Sequence, residues 1–435
     1  MTNTVDKVQS FNSFVDVVKS SYPTELHDRI NKIAFYSQEA TKRPKEKKSL
    51  DSYTVEPYFV GGDDLINICT ALGYKGCERG ACFGLGWMGI QAILAEDVET
   101  FDLRLSEISQ LLDQCKTESE LVHGLKKDVN TLAFFDGIAA YHSDFPLLFS
   151  MKRPQMCPDR IRFLSKLLLP KRLEDSRKSI VILDKITGIY QENELLRYFS
   201  ALKQLAQKGS PLAFLLIGKD HAASIGYDPK NDQWLFIESS LLLVRRIRDT
   251  ELLTFIINLA LGDIEKREDL DRLTMTTVIC STGATNPRLN KQLKAWKNTR
   301  DFKEIHQPSA EKTKNGSWLC QALHMYDSYG VLSLLDAGCD PNLGILQAIY
   351  TQNVEGLRLL LKRGGNPNLF VEKEKTTPLL MAVYLKSPEM IHVLLEAGAN
   401  PNLPCGEDKG TPLSVALSLG DHSVIEALSR KASKL

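Results

Sequence analysis

The sequence predicts an α+β domain followed by an all-α solenoid of tandem helical repeats. Two observations predict this order. Before residue 298, segments with helical spacing are followed from Leu212 onwards by apolar runs of strand length. The last third instead contains three similar segments, which read LLDAGCDPNL from Leu334, LLKRGGNPNL from Leu360 and LLEAGANPNL from Leu394. Such internal similarity indicates stacked helical units that bury their apolar faces against one another.

Composition excludes several classes of protein. Of the 435 residues, 43% are hydrophobic and 25% are charged, which is typical of a folded chain. Lys and Arg number 54, as do Asp and Glu, so no broad basic surface for nucleic acid or membrane is expected. The N-terminus lacks a secretory signal pattern, no apolar run is long enough to span a bilayer, and the nine cysteines form no dense framework. We therefore expect an intracellular, monomeric protein with free thiols and no metal or cofactor.

The repeated segments carry a second shared feature. Thr377-Pro378-Leu379 and Thr411-Pro412-Leu413 each precede an apolar helix, and Gly398 follows the last helical turn of its unit. Proline begins a helix well because the first turn needs no amide donor there, and glycine accepts the left-handed backbone that ends one. This pattern resembles the ankyrin repeat. The resemblance implies four repeats over residues 317–435, with a shortened second repeat that lacks the projecting finger before it.

The ankyrin resemblance also implies a binding surface. In ankyrin proteins the first helix of each repeat faces a concave groove. Aligning the repeats places six side chains there: Gln321, His324, Gln347, Tyr350, Met381 and Tyr384. Tyrosine offers a large, stiff contact area, so we expect these residues to bind a protein partner. The alternative is that the tyrosines cover seams between repeats or pack on the rest of the chain.

A glycine-rich segment before residue 90 has the features of a nucleophilic site. It reads GCERGACFGLGW from Gly76 and leads into an apolar stretch with helical spacing. Cys82 is expected in the first helical turn, where the helix dipole stabilises a thiolate. The alternatives are a small buried hydrophobe at Cys82, a zinc site with Cys77, and a reversible disulfide between these two cysteines.

A cysteine nucleophile needs a base. His221 follows an apolar strand at 212–217 and begins a second strand, and Glu238 ends the next strand, QWLFIES. An acid in this position would orient the imidazole, as in a nucleophile–base–acid triad. Asp228 and Asp232 are the alternative orienting acids. A satisfied core histidine is the alternative interpretation of His221.

These motifs together resemble the papain-like cysteine proteases, in particular the bacterial branch typified by YopT. The separation of Cys82 and His221 falls within the about 130–150 residues of papain-like enzymes. The resemblance implies that Cys82 is the nucleophile, His221 the general base and Glu238 the orienting acid. Two departures are present. First, Gly76 stands where the family has a glutamine that stabilises the oxyanion, so Asn67 or a backbone amide would have to take over that role. Second, Glu238 replaces the usual Asp or Asn.

The expected organisation has four parts. Residues 1–54 form an N-terminal helical region, 55–297 a cysteine protease-like domain, 298–316 a polar linker, and 317–435 the four repeats. The run KRPKEKK at 42–48 is interpreted either as a nuclear address or as a solvated loop. The combination resembles the ankyrin-repeat effectors that Legionella delivers through its Dot/Icm type IV system, which implies action in the host cytoplasm or nucleus. The alternative is an inactive, protease-like scaffold that modulates a host complex through its repeats.

Overall fold

The fold is seen in a computed structural model, which describes these residue ranges: 62–74, 81–127, 129–140, 179–207, 211–219, 221–239, 244–262, 272–282, 287–313, 316–372, 375–404 and 410–432. The basic run at 42–48, Gly76 and Cys77 lie outside them. In the part that the structure describes, no helix has both the length and the apolar character needed to cross a bilayer.

Five helices come first along the described chain. They are α1 (Gly62–Ala71), α2 (Cys82–Leu94), α3 (Val98–Gln114), α4 (Glu118–Lys127) and α5 (Val129–Ala140). Helix α2 is buried along nearly its whole length from Phe83 onwards. A helix that is apolar on all sides has to lie inside the molecule, so α2 is the central helix of this domain.

A six-stranded antiparallel sheet forms the centre of the domain. Its strands are β1 (Ile180–Tyr190), β2 (Leu212–Ile217), β3 (Ala222–Asp228), β4 (Gln233–Glu238), β5 (Arg245–Ile247) and β6 (Leu273–Thr282), and their spatial order is β1-β6-β2-β3-β4-β5. The strand bounds predicted for β2, 212–217, match those observed. The prediction of an α+β domain is confirmed at this level, while the papain-like assignment stays a prediction.

Both faces of the sheet are covered, because alternate strand residues point to opposite sides. On one face, Leu215 and Ile237 pack with α2, α3 and α5. On the other, Phe214 and Phe236 pack with α6 (Glu192–Ala206), α7 (Thr250–Leu261) and α8 (Pro287–Lys297). The central strands β2, β3 and β4 are therefore almost fully buried.

The predicted linker at 298–316 is wrong for most of its length. Two short helices, α9 (Arg300–Ile305) and α10 (Ala310–Thr313), lie within it. Phe302 is buried, the His306 ring is 3.0 Å from the Tyr190 hydroxyl, and Lys312 forms an ion pair with Glu194 at 2.8 Å. The polar composition misled the prediction because two apolar side chains and several buried polar pairs are enough to attach this segment to β1 and α6.

The helices of the last third form four hairpins. Their pairs are α11 (Ser317–His324) with α12 (Ser328–Asp336), α13 (Ile345–Tyr350) with α14 (Val354–Lys362), α15 (Pro378–Tyr384) with α16 (Pro388–Glu396), and α17 (Pro412–Leu419) with α18 (His422–Ala432). Gly338, Gly364 and Gly398 have positive φ angles after the second helices. A short 3₁₀ turn at Pro341–Gly344 leads directly into α13, so the finger before the second repeat is absent, as predicted.

The first helical hairpin is attached to the edge strand of the sheet. The Trp318 indole N–H donates to the Thr187 carbonyl at 2.9 Å, and Lys185 Nζ donates to the Met325 carbonyl at 2.9 Å. The buried Asp327 carboxylate accepts from the Thr187 amide at 3.1 Å. The repeats therefore continue the packed structure of the α+β domain.

Candidate active site

Cys82 is the first residue of α2 and is half-buried. It is a free thiol. The residue before the helix, Ala81, provides no side-chain cap, so the first-turn amides of α2 depend on other groups or on bound molecules. The sulfur thus lies where the helix dipole favours negative charge.

Close packing of α2 on β3 determines which part of the sheet lies next to the Cys82 sulfur. A methyl group added at Gly89 would lie 2.2 Å from Ser224 Oγ, and one added at Gly226 would lie 2.4 Å from Ile93. Helix and strand therefore run side by side in the same direction. The N-terminus of α2 lies at the start of β3, where the interaction with Cys82 raises the pKa of the His221 ring.

His221 is held by the tight hairpin between β2 and β3. The register pairs Ile217 with Ala222, and the Gly218 amide donates to the His221 carbonyl at 2.9 Å. Gly218 is required here because a methyl group would lie 2.8 Å from the Leu261 carbonyl oxygen. The imidazole is therefore presented at the start of β3, beside the end of β2.

Glu238 reaches the imidazole from the neighbouring strand. Its partner across the ladder is Ala223, so Glu238 and His221 are diagonal neighbours on adjacent strands. His221 Nε2 lies 2.5 Å from Glu238 Oε1, and the carboxylate is only 3% exposed. Because Nε2 contacts the carboxylate, Nδ1 is the ring nitrogen that Glu238 does not occupy.

The surroundings of His221 favour its charged form. Burial acts most strongly and lowers the pKa of the ring, but hydrogen bonds and charge interactions with Cys82 and Glu238 together outweigh it. The pKa of His221 is raised from 6.5 to about 10. The ring is therefore an imidazolium at neutral pH.

The two alternative orienting acids do not contact His221. Asp228 ends β3, about 20 Å away along the extended strand, and its carboxylate accepts hydrogen bonds from Lys230, Asn231 and Gln233. Asp232 lies in the exposed turn after β3 and pairs with Lys203 at 2.8 Å. Both proposals for an orienting acid are therefore wrong, since strand direction takes these carboxylates to the opposite end of the sheet.

Arg245 is a neighbour of Glu238 that the sequence did not indicate. It lies on β5 opposite Phe236, two residues before Glu238, and its side chain is half-buried. Burial lowers the pKa of Arg245, and the negative charge of Glu238 partly offsets this. Only the strand register could have revealed Arg245 as this neighbour, since Arg246 and Arg248 are equally plausible in the sequence.

The six predicted groove residues fall into two groups. Tyr350 and Tyr384 are 66% and 53% exposed, and Gln347 and Met381 are half-buried beside them. His324 is more enclosed, and burial lowers its pKa. Its ring nitrogen Nδ1 lies 3.5 Å from Gln347 Nε2. The tyrosines of the second and third repeats are thus the accessible part of this surface.

Gln321 is half-buried, and its side chain contacts the sheet of the same chain. Its side-chain amide donates to the Ile217 carbonyl at 3.2 Å, and it also lies within 3.5 Å of the Gly218 carbonyl oxygen and Thr276 Oγ1. The prediction that Gln321 binds a separate partner is therefore wrong. The sheet itself occupies this position of the first repeat.

Comparison with known families identifies the last third of the chain. A family model described as ankyrin repeats, in three copies, matches residues 319–405 and again 345–434. The C-terminal region therefore consists of ankyrin repeats, as predicted, and such repeats imply binding to another protein. The match covers well under half of the chain and does not include the α+β domain. A search among curated proteins found no match to this chain.

Proposed function

We propose that the α+β domain is a papain-like cysteine hydrolase or acyl-transfer domain, and that the ankyrin repeats select its protein substrate. The observation that carries the proposal is the contact of Cys82 with His221 at the N-terminus of a buried helix, with Glu238 2.5 Å from the far side of the ring. Thiol acyl transfer requires a nucleophile next to a base, and a base that an acid orients. Cys82, His221 and Glu238 are arranged in this way.

In the proposed reaction, the Cys82 thiolate attacks an acyl carbon and forms a tetrahedral intermediate. Collapse of this intermediate breaks the bond to the leaving group, which receives the proton held by His221, and leaves a thioester on the sulfur. His221 then takes a proton from water or from an amine as that molecule attacks the thioester, and collapse of the second tetrahedral intermediate breaks the carbon–sulfur bond, which releases the acyl product and regenerates the Cys82 thiolate. Glu238 keeps the imidazole oriented and stabilises its charge in both steps. Hydrolysis, deamidation and transamidation all follow this scheme.

The resemblance to bacterial effectors extends the proposal to a place of action. We propose type IV delivery into a host cell and a host protein as the partner of the repeats. This part rests on the sequence resemblance and on the presence of ankyrin repeats beside a thiol site. The alternative function, an inactive scaffold that acts through its repeats, is favoured by the glycine at position 76 and by the length of Glu238.

Thiol alkylation separates the two functions. We expect iodoacetamide at pH 7 to modify Cys82 about 100-fold faster than the half-buried Cys115, and His221→Ala to abolish this difference. The matched control is His392→Ala, which removes a surface histidine that also pairs with a glutamate, at 3.0 Å. Peptide mass spectrometry after timed labelling gives the rates. Equal rates at both cysteines in the wild-type protein would favour the scaffold.

A further inference from the structure

The first ankyrin repeat touches the hairpin that carries the proposed base. The side-chain amide of Gln321, on α11, lies 3.2 Å from the Ile217 carbonyl and 3.5 Å from the Gly218 carbonyl. These two residues end β2 and lead into the turn before His221. The contact joins a helix of the repeats to the sheet across 104 residues of sequence.

The residues that Gln321 contacts are directly connected to His221 by backbone hydrogen bonding. The Gly218 amide donates to the His221 carbonyl at 2.9 Å, and the next pair in the ladder is Ile217 with Ala222. Gly218 cannot move freely towards α7, because the Leu261 backbone already limits the space beside it. The Gln321 amide lies on the side away from Leu261, so the end of the hairpin has a neighbour on both sides.

The position of Gln321 in its repeat makes this contact informative. Gln347 and Met381 occupy the equivalent positions in the second and third repeats, and both lie within the groove surface. In the first repeat this place is filled by the hairpin of the sheet. The groove of the repeats thus begins next to the β2–β3 hairpin, which carries His221.

We propose that Gln321 is a positioning residue for His221, so that the first ankyrin repeat forms part of the active site. The inference rests on the proposed function. It implies that the α+β domain has its full thiol reactivity only with the first repeat in place, and that a partner in the groove lies next to the hairpin. An amide donor of this length is required, since it must reach two carbonyl oxygens at once.

The test replaces the donor while keeping the shape of the side chain. Gln321→Met has a similar length but cannot donate a hydrogen bond. The matched control is Lys185→Met, which removes another hydrogen bond between sheet and repeats, from Lys185 Nζ to the Met325 carbonyl. Lys185 lies on β1, which β6 and β2 separate from β3. Both variants lose one contact of the first repeat, but only one of them loses the contact with the hairpin.

Two measurements are made on the full chain. We expect Gln321→Met to lower the rate of Cys82 alkylation about tenfold and to shift the imidazole resonances of His221, assigned by comparison with His221→Gln. Lys185→Met should leave both at wild-type values. Wild-type rates and resonances in Gln321→Met would overturn the positioning role. Equal changes in both variants would also overturn it, because they would indicate a general loosening of the repeats.

The outcome for the proposed function is read separately. If wild-type Cys82 is selectively alkylated but Gln321→Met behaves like the wild type, only the positioning role fails. If wild-type Cys82 reacts no faster than Cys115, the proposed function fails and the positioning role fails with it. The NMR resonances of His221 report the hairpin geometry in either case.

Discussion

The candidate active site and the outer ankyrin repeats differ in the surroundings of their side chains: those of the site contact one another, whereas those of the repeats are exposed to solvent. In the site, the His221 ring contacts Cys82 on one side and Glu238 on the other, and Glu238 is almost completely buried. On the second and third repeats, Tyr350 and Tyr384 have more than half of their surface exposed. A preorganised site gains reactivity from enclosed charges, whereas a binding surface keeps its contact area open for another molecule.

The difference also explains what each region requires of the backbone. The site needs three elements to meet, which are the start of α2, the β2–β3 hairpin and the end of β4. The groove needs only the repetition of one helical hairpin, since equivalent positions then align automatically. Changes in the site should therefore alter reactivity without altering partner binding, and changes in the outer repeats should do the opposite.

The largest effect is expected for Glu238→Gln. This change keeps the shape of the side chain but removes the charge that stabilises the imidazolium, so the rate of Cys82 alkylation should fall about 100-fold. Asp228→Asn is the matched control, because it neutralises a carboxylate at the opposite end of β3. Rates are measured at pH 7 by mass spectrometry. A loss of reactivity in Asp228→Asn equal to that in Glu238→Gln would break the assignment of the orienting acid.

A smaller effect, confined to binding, is expected for the double variant Tyr350→Ala/Tyr384→Ala. Loss of two exposed aromatic anchors should weaken capture of the protein partner at least about tenfold. The thermal unfolding midpoint and the Cys82 alkylation rate should stay at wild-type values, because neither ring supports the core. Tyr329→Ala, an equally exposed tyrosine on α12, is the control. Reduced stability in the double variant would indicate that the rings cover seams between repeats.

The smallest effect is expected in the dependence of stability on pH. The pKa of His221 is about 10 in the folded protein and 6.5 when unperturbed, so protonation favours the folded state. This contribution is fully present below about pH 6.5 and is lost as the pH rises through about 10. Urea unfolding of the wild type should therefore lose more free energy between pH 7 and 10 than that of His221→Ala. Parallel curves for the two proteins would contradict the charged pairing at His221.

The sequence predicted the local parts of both regions well. β2 is a continuous apolar run, and Thr-Pro and Gly mark the ends of the repeat helices, so their bounds follow from neighbouring residues. The pairing of His221 with Glu238 was also predictable in outline. His221 lies at the start of one strand and Glu238 at the end of the next. The direction of the strands, which excludes Asp228, depends on the hairpin.

The parts that were missed depend on contacts between distant segments. Arg245 and Gln321 have no local pattern that distinguishes them from their neighbours, because their roles arise from strand register and from the docking of the first repeat. The segment 298–316 was misread for the same reason. Its composition is polar, but Phe302 and His306 are enclosed by side chains from β1 and α6 that lie more than a hundred residues earlier.

The most direct measurement of the central claim is the reaction of the full chain with p-nitrophenyl acetate. The account predicts a rapid release of about one nitrophenolate per chain, with the acetyl group found as a thioester on Cys82, and the loss of both in Cys82→Ala. The same initial release from Cys82→Ala, or acetylation at other residues only, would contradict the proposal that this sulfur attacks acyl carbon.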